Sequence, residues 1–509
     1  MPLSSRVKPN LYKDSVALMR IAEKLLQDPA ITRATLVMGT PANKDILQEA
    51  GMLGADCGAV NPGDLIIVID GADDAAIEAA FATVDQALAV RAGASTSAGT
   101  RAIAPRTLGM GKALLAGANL AQISAPGPYA GAEALKAIKA GLNVFLFSDN
   151  VPLEQEVEVK QLASRHGLIV MGPDCGTAII AGVPLGFANV VRRGRIGFVG
   201  ASGTGLQEVT SQVHLMGEGV SHAIGTGGRD VKAEVGGASM LMALDLLAAD
   251  PATAVIGIVS KPPAPAVMRA VMERAGRAGK PVVACFLGDT AIAAPANVHQ
   301  AGSLYECAAA CVAAARGTRA LAAAPATVPA FAFAASQRYV RGLFSGGTFC
   351  TEAQVALRAL DIACLSNVPL DTRHTLPDAR RSQDHTMLDL GDDDFTVGRP
   401  HPMIDPSTRV ARIAQEAADP QTAVILLDIV LGYAGHMDPA GALAPAIRAA
   451  KAAARASGRE LAVVAFVCGV EEDPQVRSTQ EQSLAAAGAV VATSSTQAAR
   501  VAADIARRR

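Results

Sequence analysis

Apolar runs of strand length alternate with helical patterns through nearly all 509 residues of this chain. The runs RIGFVG, AVIGIVS and AVILLDIV are examples, and each is followed by a turn and a segment with helical spacing. A strand that is buried on both faces is a continuous apolar run, and a crossover helix then returns the chain to the next parallel strand. The alternation therefore predicts an α/β protein with several doubly wound, mainly parallel sheets.

Stretches of small residues indicate where the domains end. The length favours roughly three or four domains. Residues 91–105 are rich in small and turn-forming residues, and residues 317–335 are rich in Ala and Pro and poor in charge, so both are predicted boundaries. The expected domains are a small N-terminal α/β domain at 1–95 and further α/β domains at 100–192, 193–318 and 336–509.

Charge and cysteine content narrow the class of protein. The formal net charge of −2, without a long Lys/Arg block, argues against a nucleic-acid partner. The eight cysteines include no CxxC pair, which favours a reducing cytoplasm. No apolar stretch approaches the ~18–20 residues that span a bilayer, and the N-terminus has no signal-peptide core. We therefore expect a cytoplasmic protein that binds neither nucleic acid nor a membrane.

Two strands end in turns of the same kind, in GRIGFVGASGTGLQEVT (194–210) and RGLFSGGTFCTEAQV (341–355). Gly, Ser and Thr stand where a helix begins, and a helix N-terminus presents unpaired N–H groups to an anion. The predicted phosphate or anion ligands are Ser202, Gly203, Thr204, Ser345, Gly346, Gly347 and Thr348. Such turns also serve simply to pack a helix on a sheet, and one alone would favour neither interpretation. Two in equivalent places favour anion binding, although neither matches GxxxxGK[ST] or GxGxxG.

Several segments resemble the succinyl-CoA synthetase superfamily. The segments GPYAGAEALKAIKAGLNVFLFSDNVP, MGPDCGTAI, GRIGFVGASGTGLQEVT and GTGGRDV resemble, in order, stretches of the α subunit. The region from YVRGLFSGGTFC to FVCGVEEDPQVRSTQEQSLAAAG is similar to the C-terminal domain of the β subunit. The fused order, with an extra N-terminal domain, is similar to the FdrA family. The resemblance implies a CoA-binding-like Rossmann domain and two flavodoxin-type domains, and it implies that the two glycine turns hold a phosphate.

The chain departs from the superfamily at several functional positions. The phosphate-carrying His of a GHAGA-like motif corresponds to Gln300 in NVHQAGSLYEC, with His299 one residue earlier, and the Glu that orients that His corresponds to Ser260. The CoA fingerprint has no clear counterpart before LAQISAPGPY, and no ATP-grasp domain is present. Three Asp residues at 392–394 replace the glycine run of the β domain. These departures weigh against an ATP-driven CoA ligase.

The resemblance to FdrA implies a subunit of a phosphate-dependent carbamoyl or acyl transferase. The specific expectation is oxamate carbamoyltransferase in allantoin catabolism, which converts oxalurate and phosphate to oxamate and carbamoyl phosphate. That reaction requires no cofactor, and the subunit would work with other subunits in an oligomer. One alternative is a subunit of an ADP-forming acyl-CoA ligase that uses CoA and ATP and takes its nucleotide domain from a partner. The other is a non-catalytic scaffold that senses an anion.

Other polar residues are weaker candidates for a site. The catalytic candidates are His299, His436 and Arg373. The secondary candidates, in turns that follow strands, are Asp174, Cys175, Gly227 and Gly228. The loop arginines, which either bind a carboxylate or belong to a solvated surface, are Arg373, Arg380 and Arg381. The residues closest to a metal-ligand set are His401, Asp405, His436 and Asp438. Since they lack HxxxH or HExxH spacing, no metal site is expected.

Overall fold

The computed structural model describes residues 2–507 except 12, 14, 50, 55–59, 90–104, 289–292, 321–327 and 397–399. The chain divides into two compact units, one of residues 1–107 with 395–405 and the other of residues 108–394 with 406–509. The predicted linker at 91–105 lies almost wholly outside the described residues. Among the residues described, no helix has the length and apolar character needed to cross a membrane.

The first unit is a small antiparallel sheet with helices on both faces. Its elements are β1 (Leu3–Lys8), α1 (Ser15–Leu26), β2 (Ile31–Met38), α2 (Pro41–Glu49), β3 (Leu65–Gly71) and α3 (Asp74–Ala89). The strand order is β1-β3-β2, and the central strand β3 is buried along its whole length. Alternate residues of β3 pack against different helices: Ile67 and Ile69 lie with Leu18 and Phe81, whereas Ile66 lies in a second cluster with Leu47.

The described residues of the second unit form three sheets. The elements around the three-stranded parallel sheet are α4 (Leu108–Leu114), β4 (Leu120–Ile123), α5 (Gly127–Lys139), β5 (Asn143–Leu146), α6 (Leu153–Arg165) and β6 (Val170–Met171). The elements of the seven-stranded sheet are β7 (Thr177–Ile180), β8 (Val183–Gly186), β9 (Arg193–Gly200), α7 (Gly203–Leu215), β10 (Val220–Gly225), α8 (Ala238–Ala249), β11 (Val255–Ser260), α9 (Pro265–Gly276), β12 (Val282–Phe286), β13 (Val298–Gln300) and α10 (Leu304–Arg316). The elements around the six-stranded sheet are β14 (Tyr339–Phe344), α11 (Gly347–Arg358), β15 (Leu365–Ser366), β16 (Thr386–Asp389), α13 (Ser407–Ala418), β17 (Thr422–Val430), α14 (Pro439–Ala456), β18 (Ala462–Cys468), α15 (Arg477–Ala486), β19 (Val490–Ala492) and α16 (Ser495–Arg507). The short helix α12 (Asp393–Thr396) lies at the boundary between the two units.

The two larger sheets confirm the expected α/β class with mainly parallel strands. Their orders are β13-β12-β11-β9-β10-β7-β8 and β15-β16-β14-β17-β18-β19. Among the described strands of these sheets, only the pairs β7–β8 and β7–β10 are antiparallel. The hairpin β7–β8 lies within the range predicted for the second domain, but it pairs with β10 of the next sheet. The strands β9 and β14 are interior strands of their sheets, and each leads directly into a glycine turn and a helix.

Candidate functional site

The first glycine turn forms a capped helix end. Ser202 is the N-cap of α7 in an extended conformation, and its Oγ accepts a hydrogen bond from the Gly205 N–H at 3.0 Å. The N–H groups of Gly203 and Thr204 donate to none of the residues that the structure describes. The first turn of α7 therefore presents two backbone donors together with the positive end of the helix dipole.

The second glycine turn is held by a buried carboxylate of the protein itself. Asp428 on β17 accepts hydrogen bonds from the Ser345 N–H at 2.9 Å, from the Ser345 Oγ at 2.9 Å and from the Gly346 N–H at 3.0 Å. Arg409 balances this carboxylate at 2.8 Å. The predicted ligands Ser345 and Gly346 thus already donate to Asp428. At the start of α11, by contrast, the N–H groups of Gly347 and Thr348 donate to no described residue.

The two helix ends meet. The hydroxyls of Ser202 and Thr348, 146 positions apart, are hydrogen-bonded to each other in a buried contact. A methyl group on Gly346 would lie 2.8 Å from the Thr204 Oγ1, and one on Gly205 would lie 3.1 Å from the Thr348 Cγ2. The glycines therefore serve packing as well, because only a residue without a side chain lets the helix ends approach this closely. In the sequence analysis, anion binding and helix packing were alternative roles for these turns, whereas the geometry is compatible with both.

A lysine and an aspartate flank the start of α11, and neither was singled out from the sequence. Lys261 follows β11, and its Nζ lies 3.6 Å from the position that a methyl group on Gly347 would occupy. Its ammonium makes no hydrogen bond or ion pair within 4 Å to the described residues. The carboxylate of Asp389, at the end of β16, lies directly against Gly347. Burial raises the pKa of Asp389 to about 6 in spite of the nearby Lys261 charge. The helix end therefore has a cation beside it and a carboxyl group whose pKa is raised to about 6.

The turn MGPDCGT lies beside the start of α7. A methyl group on Gly203 would lie 3.3 Å from the Thr177 Oγ1. Asp174 has a left-handed φ of 54°, and desolvation together with the Asp149 charge raises its pKa to about 7. The Cys175 thiol donates to the Thr177 carbonyl, and burial raises its pKa to about 12. A thiol with that pKa is not a nucleophile at neutral pH.

Gly227 and Gly228 differ in their surroundings. Gly227 has a φ of +80°, and the space where its side chain would lie is filled by the Pro173 carbonyl. No atom lies within 4 Å of a methyl position on Gly228. The next residue, Arg229, is fixed by Glu156 at 2.9 Å and by the Val151 carbonyl at 2.7 Å. A close backbone packing requires Gly227, whereas Gly228 leaves its side of the turn open.

The residues that correspond to the phosphohistidine and to the Glu that orients it are not arranged as an acid–base pair. His299 is exposed on the edge strand β13, and β12 and β11 separate that strand from β9. Gln300 ends β13. Ser260 is fully buried at the end of β11, and its Oγ has no hydrogen bond with the described residues. No carboxylate therefore stands at position 260 to orient an imidazole.

The remaining candidates lie in surface turns. The Nδ1 of His436 accepts a hydrogen bond from the Asp438 N–H at 3.0 Å. Arg373 lies in a single 3₁₀ turn (Thr372–His374), is exposed and pairs with Asp371 at 2.5 Å. The other exposed arginines of that loop are Arg380 and Arg381. His401 and Asp405 belong to the first unit. Within the described ranges, no cluster of three or more His, Cys, Asp and Glu side chains is suited to a metal ion.

Comparisons with known proteins extend this picture. Family models match residues 1–105 (AllF, heavy metal-associated domain), 193–326 (succinyl-CoA ligase like flavodoxin domain) and 343–505 (CoA-ligase). The uncharacterized protein YahF of Escherichia coli is 43% identical over 96% of both chains. The α subunit of the ADP-forming succinate–CoA ligase of Methanothermobacter thermautotrophicus is 29% identical over 37% of this chain and 63% of its own length.

A solved structure also aligns with much of the chain. The apo form of the dinucleotide-forming acetyl-coenzyme A synthetase 1 of Ca. Korarchaeum cryptofilum aligns with 76% of this chain and 82% of its own, at 17% identity and a TM-score of 0.32. The more specific resemblance to FdrA stays a prediction. From the YahF identity and the family models together, the chain belongs to the same family as YahF, within the CoA-ligase superfamily.

Proposed function

We propose that this chain is an acyl-transfer subunit of the ADP-forming CoA-ligase type, which binds the phosphate of an acyl phosphate between the starts of α7 and α11. The observation that carries the proposal is the meeting of two helix N-termini whose N–H groups at Gly203, Thr204, Gly347 and Thr348 donate to none of the described residues. Helix N-termini bind anions because their unpaired donors and their dipoles both favour negative charge. Lys261 adds a full positive charge beside them.

The chemistry of such a subunit is the exchange of phosphate for a thiol. The CoA sulfur attacks the acyl carbon, a C–S bond forms, the C–O bond to phosphate breaks, and the thiol proton passes to solvent or to the released phosphate. The helix ends and Lys261 would stabilise the phosphate as negative charge moves onto it. This step needs neither a nucleotide nor a phosphohistidine. The ATP-dependent formation of the acyl phosphate would belong to a partner subunit.

A second candidate is the FdrA-type carbamoyl transfer expected from the sequence. Two observations favour it: Gln300 and Ser260 stand where the resemblance puts the phosphohistidine and the Glu that orients it, and residues 1–105 match the AllF-type model. In that reaction a phosphate oxygen attacks the carbamoyl carbon of oxalurate, a C–O bond forms, the C–N bond breaks, and oxamate takes up a proton. It would use the same phosphate site without CoA. The named relatives of the second unit are CoA ligases, and for that reason we place the ligase-type reaction first.

One pair of assays distinguishes the candidates. The chain is purified with its co-purifying partners and supplied either with acyl phosphates and CoA or with oxalurate and inorganic phosphate. Thioester formation supports the first candidate, and carbamoyl phosphate formed without CoA supports the second. Lys261→Met should abolish the activity that is found, whereas Lys139→Met, on the exposed surface of α5, should not change it. A complex with neither activity, and without measurable phosphate binding, would refute both candidates.

A further inference from the structure

Each of the two helices that begin at the glycine turns carries a buried glutamate at the same position along the helix. Glu208 on α7 and Glu352 on α11 both stand six positions after the N-cap residue, and they are 0% and 2% exposed. An ionised carboxylate is rarely buried unless donors or a cation satisfy it. The hydrogen bonds of these two carboxylates are therefore informative.

Glu352 caps two other helices. It accepts hydrogen bonds from the Leu304 N–H, at the start of α10, and from the Thr496 Oγ1, near the start of α16, both at 2.8 Å. The Ser495 hydroxyl, also at the start of α16, donates to its other oxygen. Since α10 packs against α7, Glu352 connects α11 to a helix that contacts α7.

Glu208 makes the reciprocal connection. Its Oε1 accepts a hydrogen bond from the Ser495 N–H at 3.3 Å and from the Gln212 Nε2 at 3.1 Å. Since α16 packs against α11, this carboxylate of α7 caps the neighbour of α11. Its Oε2 receives no hydrogen bond from the described residues. Ser495 therefore contacts both carboxylates, through its N–H and through its hydroxyl.

We propose that Glu208 and Glu352 are positioning residues that act as crossed braces and hold the N-termini of α7 and α11 at the separation needed to bind one phosphate. The inference rests on the proposed phosphate site. The hydroxyls of Ser202 and Thr348 meet at the helix ends, and the braces join the helices one to two turns further along. If a brace fails, we expect the helix ends to separate, so that a phosphate contacts one end only.

Because both braces are carboxyl groups, their effect depends on pH. Two buried carboxyl groups that share one donor residue resist ionising together. Burial raises the pKa of both groups, and that of Glu208 to about 7. The charged or titratable groups that act on the pair from neighbouring elements are Cys468 on β18, Arg477 on α15 and Arg500 on α16. When Glu208 ionises above this pH, it repels Glu352 and loosens the contact between the helices.

The test compares anion affinities of the full-length protein from pH 5.5 to 8.5 by calorimetry. The probes are inorganic phosphate and sulfate, because sulfate remains dianionic over the whole range. The native protein should bind sulfate more weakly as the pH rises through 7. Glu208→Gln is neutral at every pH, so its sulfate affinity should not fall as the pH rises through 7. At pH 8.5 it should bind sulfate at least threefold more tightly than the native protein. Ser495→Ala, which removes the hydroxyl that donates to Glu352 and keeps the N–H that donates to Glu208, should weaken binding about tenfold at all pH values.

A matched control is Glu306→Gln. Glu306 caps α10 from within its own turn, by accepting from the Gly302 N–H at 2.8 Å, and takes no part in the crossed contacts. It should keep the native affinity and the native pH profile. If the native protein binds anions and the Glu208 and Ser495 variants match it at every pH, the braces are refuted and the phosphate site stands. If the native protein binds neither anion, the phosphate site and the braces are both refuted.

Discussion

Replacing Glu208 by Gln should remove a pH-dependent loss of stability from the second unit. Glu208 is fully buried, and its pKa rises from 4.5 to about 7 on folding. Between these two values the folded state holds a proton that the unfolded state has released, so the native free energy of unfolding falls as the pH rises. At 1.36 kcal/mol for each pKa unit, the loss between pH 5 and pH 8 is roughly 2 to 3 kcal/mol. The loss belongs to the coupled pair with Glu352 rather than to one carboxyl group.

The assay is urea unfolding of the native protein, Glu208→Gln and the control Glu306→Gln at pH 5, 6, 7 and 8. Far-UV circular dichroism is the suitable signal, because the chain contains no Trp. We expect the midpoints of native and Glu208→Gln to diverge steadily from pH 5 to pH 8, with the variant more stable at pH 8, while Glu306→Gln follows the native protein. Parallel curves for native and Glu208→Gln over this range would refute the argument that the buried carboxyl group is protonated on folding.

Three further predictions concern the helix ends and the neighbouring turn. Asp389→Asn should raise phosphate affinity, measured by calorimetry, several-fold at pH 8 and leave it unchanged at pH 5. The native carboxyl group, with its pKa raised to about 6, is charged mainly at the higher pH. An equal effect at both pH values would contradict this reasoning. Gly346→Ala should destabilise the protein by about 1–3 kcal/mol and weaken phosphate binding, because the added methyl group would overlap Thr204; native-like denaturant midpoints would show that the helix ends tolerate separation. Cys175→Ser should retain the activity found in either assay, since the thiol pKa of about 12 precludes a thiolate nucleophile, and loss of activity in a folded variant would reverse that conclusion.

The sequence was most informative where a local pattern has a local physical cause. Strand and helix alternation depends on burial and periodicity, and the α/β class predicted from it is confirmed. The motifs also predicted the superfamily, which the family models and the relatives confirm at the level of CoA ligases. The finer function is different. The comparisons favour the ligase-type alternative over carbamoyl transfer, and the anion ligands proposed from the glycine turns stay predictions.

The tertiary structure alone decided which polar groups remain available for a ligand. From the sequence, Ser345 and Gly346 are donors equivalent to Gly347 and Thr348. In the fold, Asp428 accepts from the first two, since β17 lies beside β14 and brings a carboxylate from more than 80 positions away under the turn. No local pattern encodes that pairing.

The same reason applies to the groups that surround the helix ends. Lys261 stands in an unremarkable turn, Asp389 ends a short strand, and Glu208 and Glu352 occupy ordinary helical positions. Each acquires its role from neighbours that are distant in sequence and are brought close by the order of the strands. The sequence by itself determined that two strands would lead through glycine turns into helices. The packing of two sheets determined that these helices would meet, because a contact between residues 146 positions apart depends on how whole elements fill space.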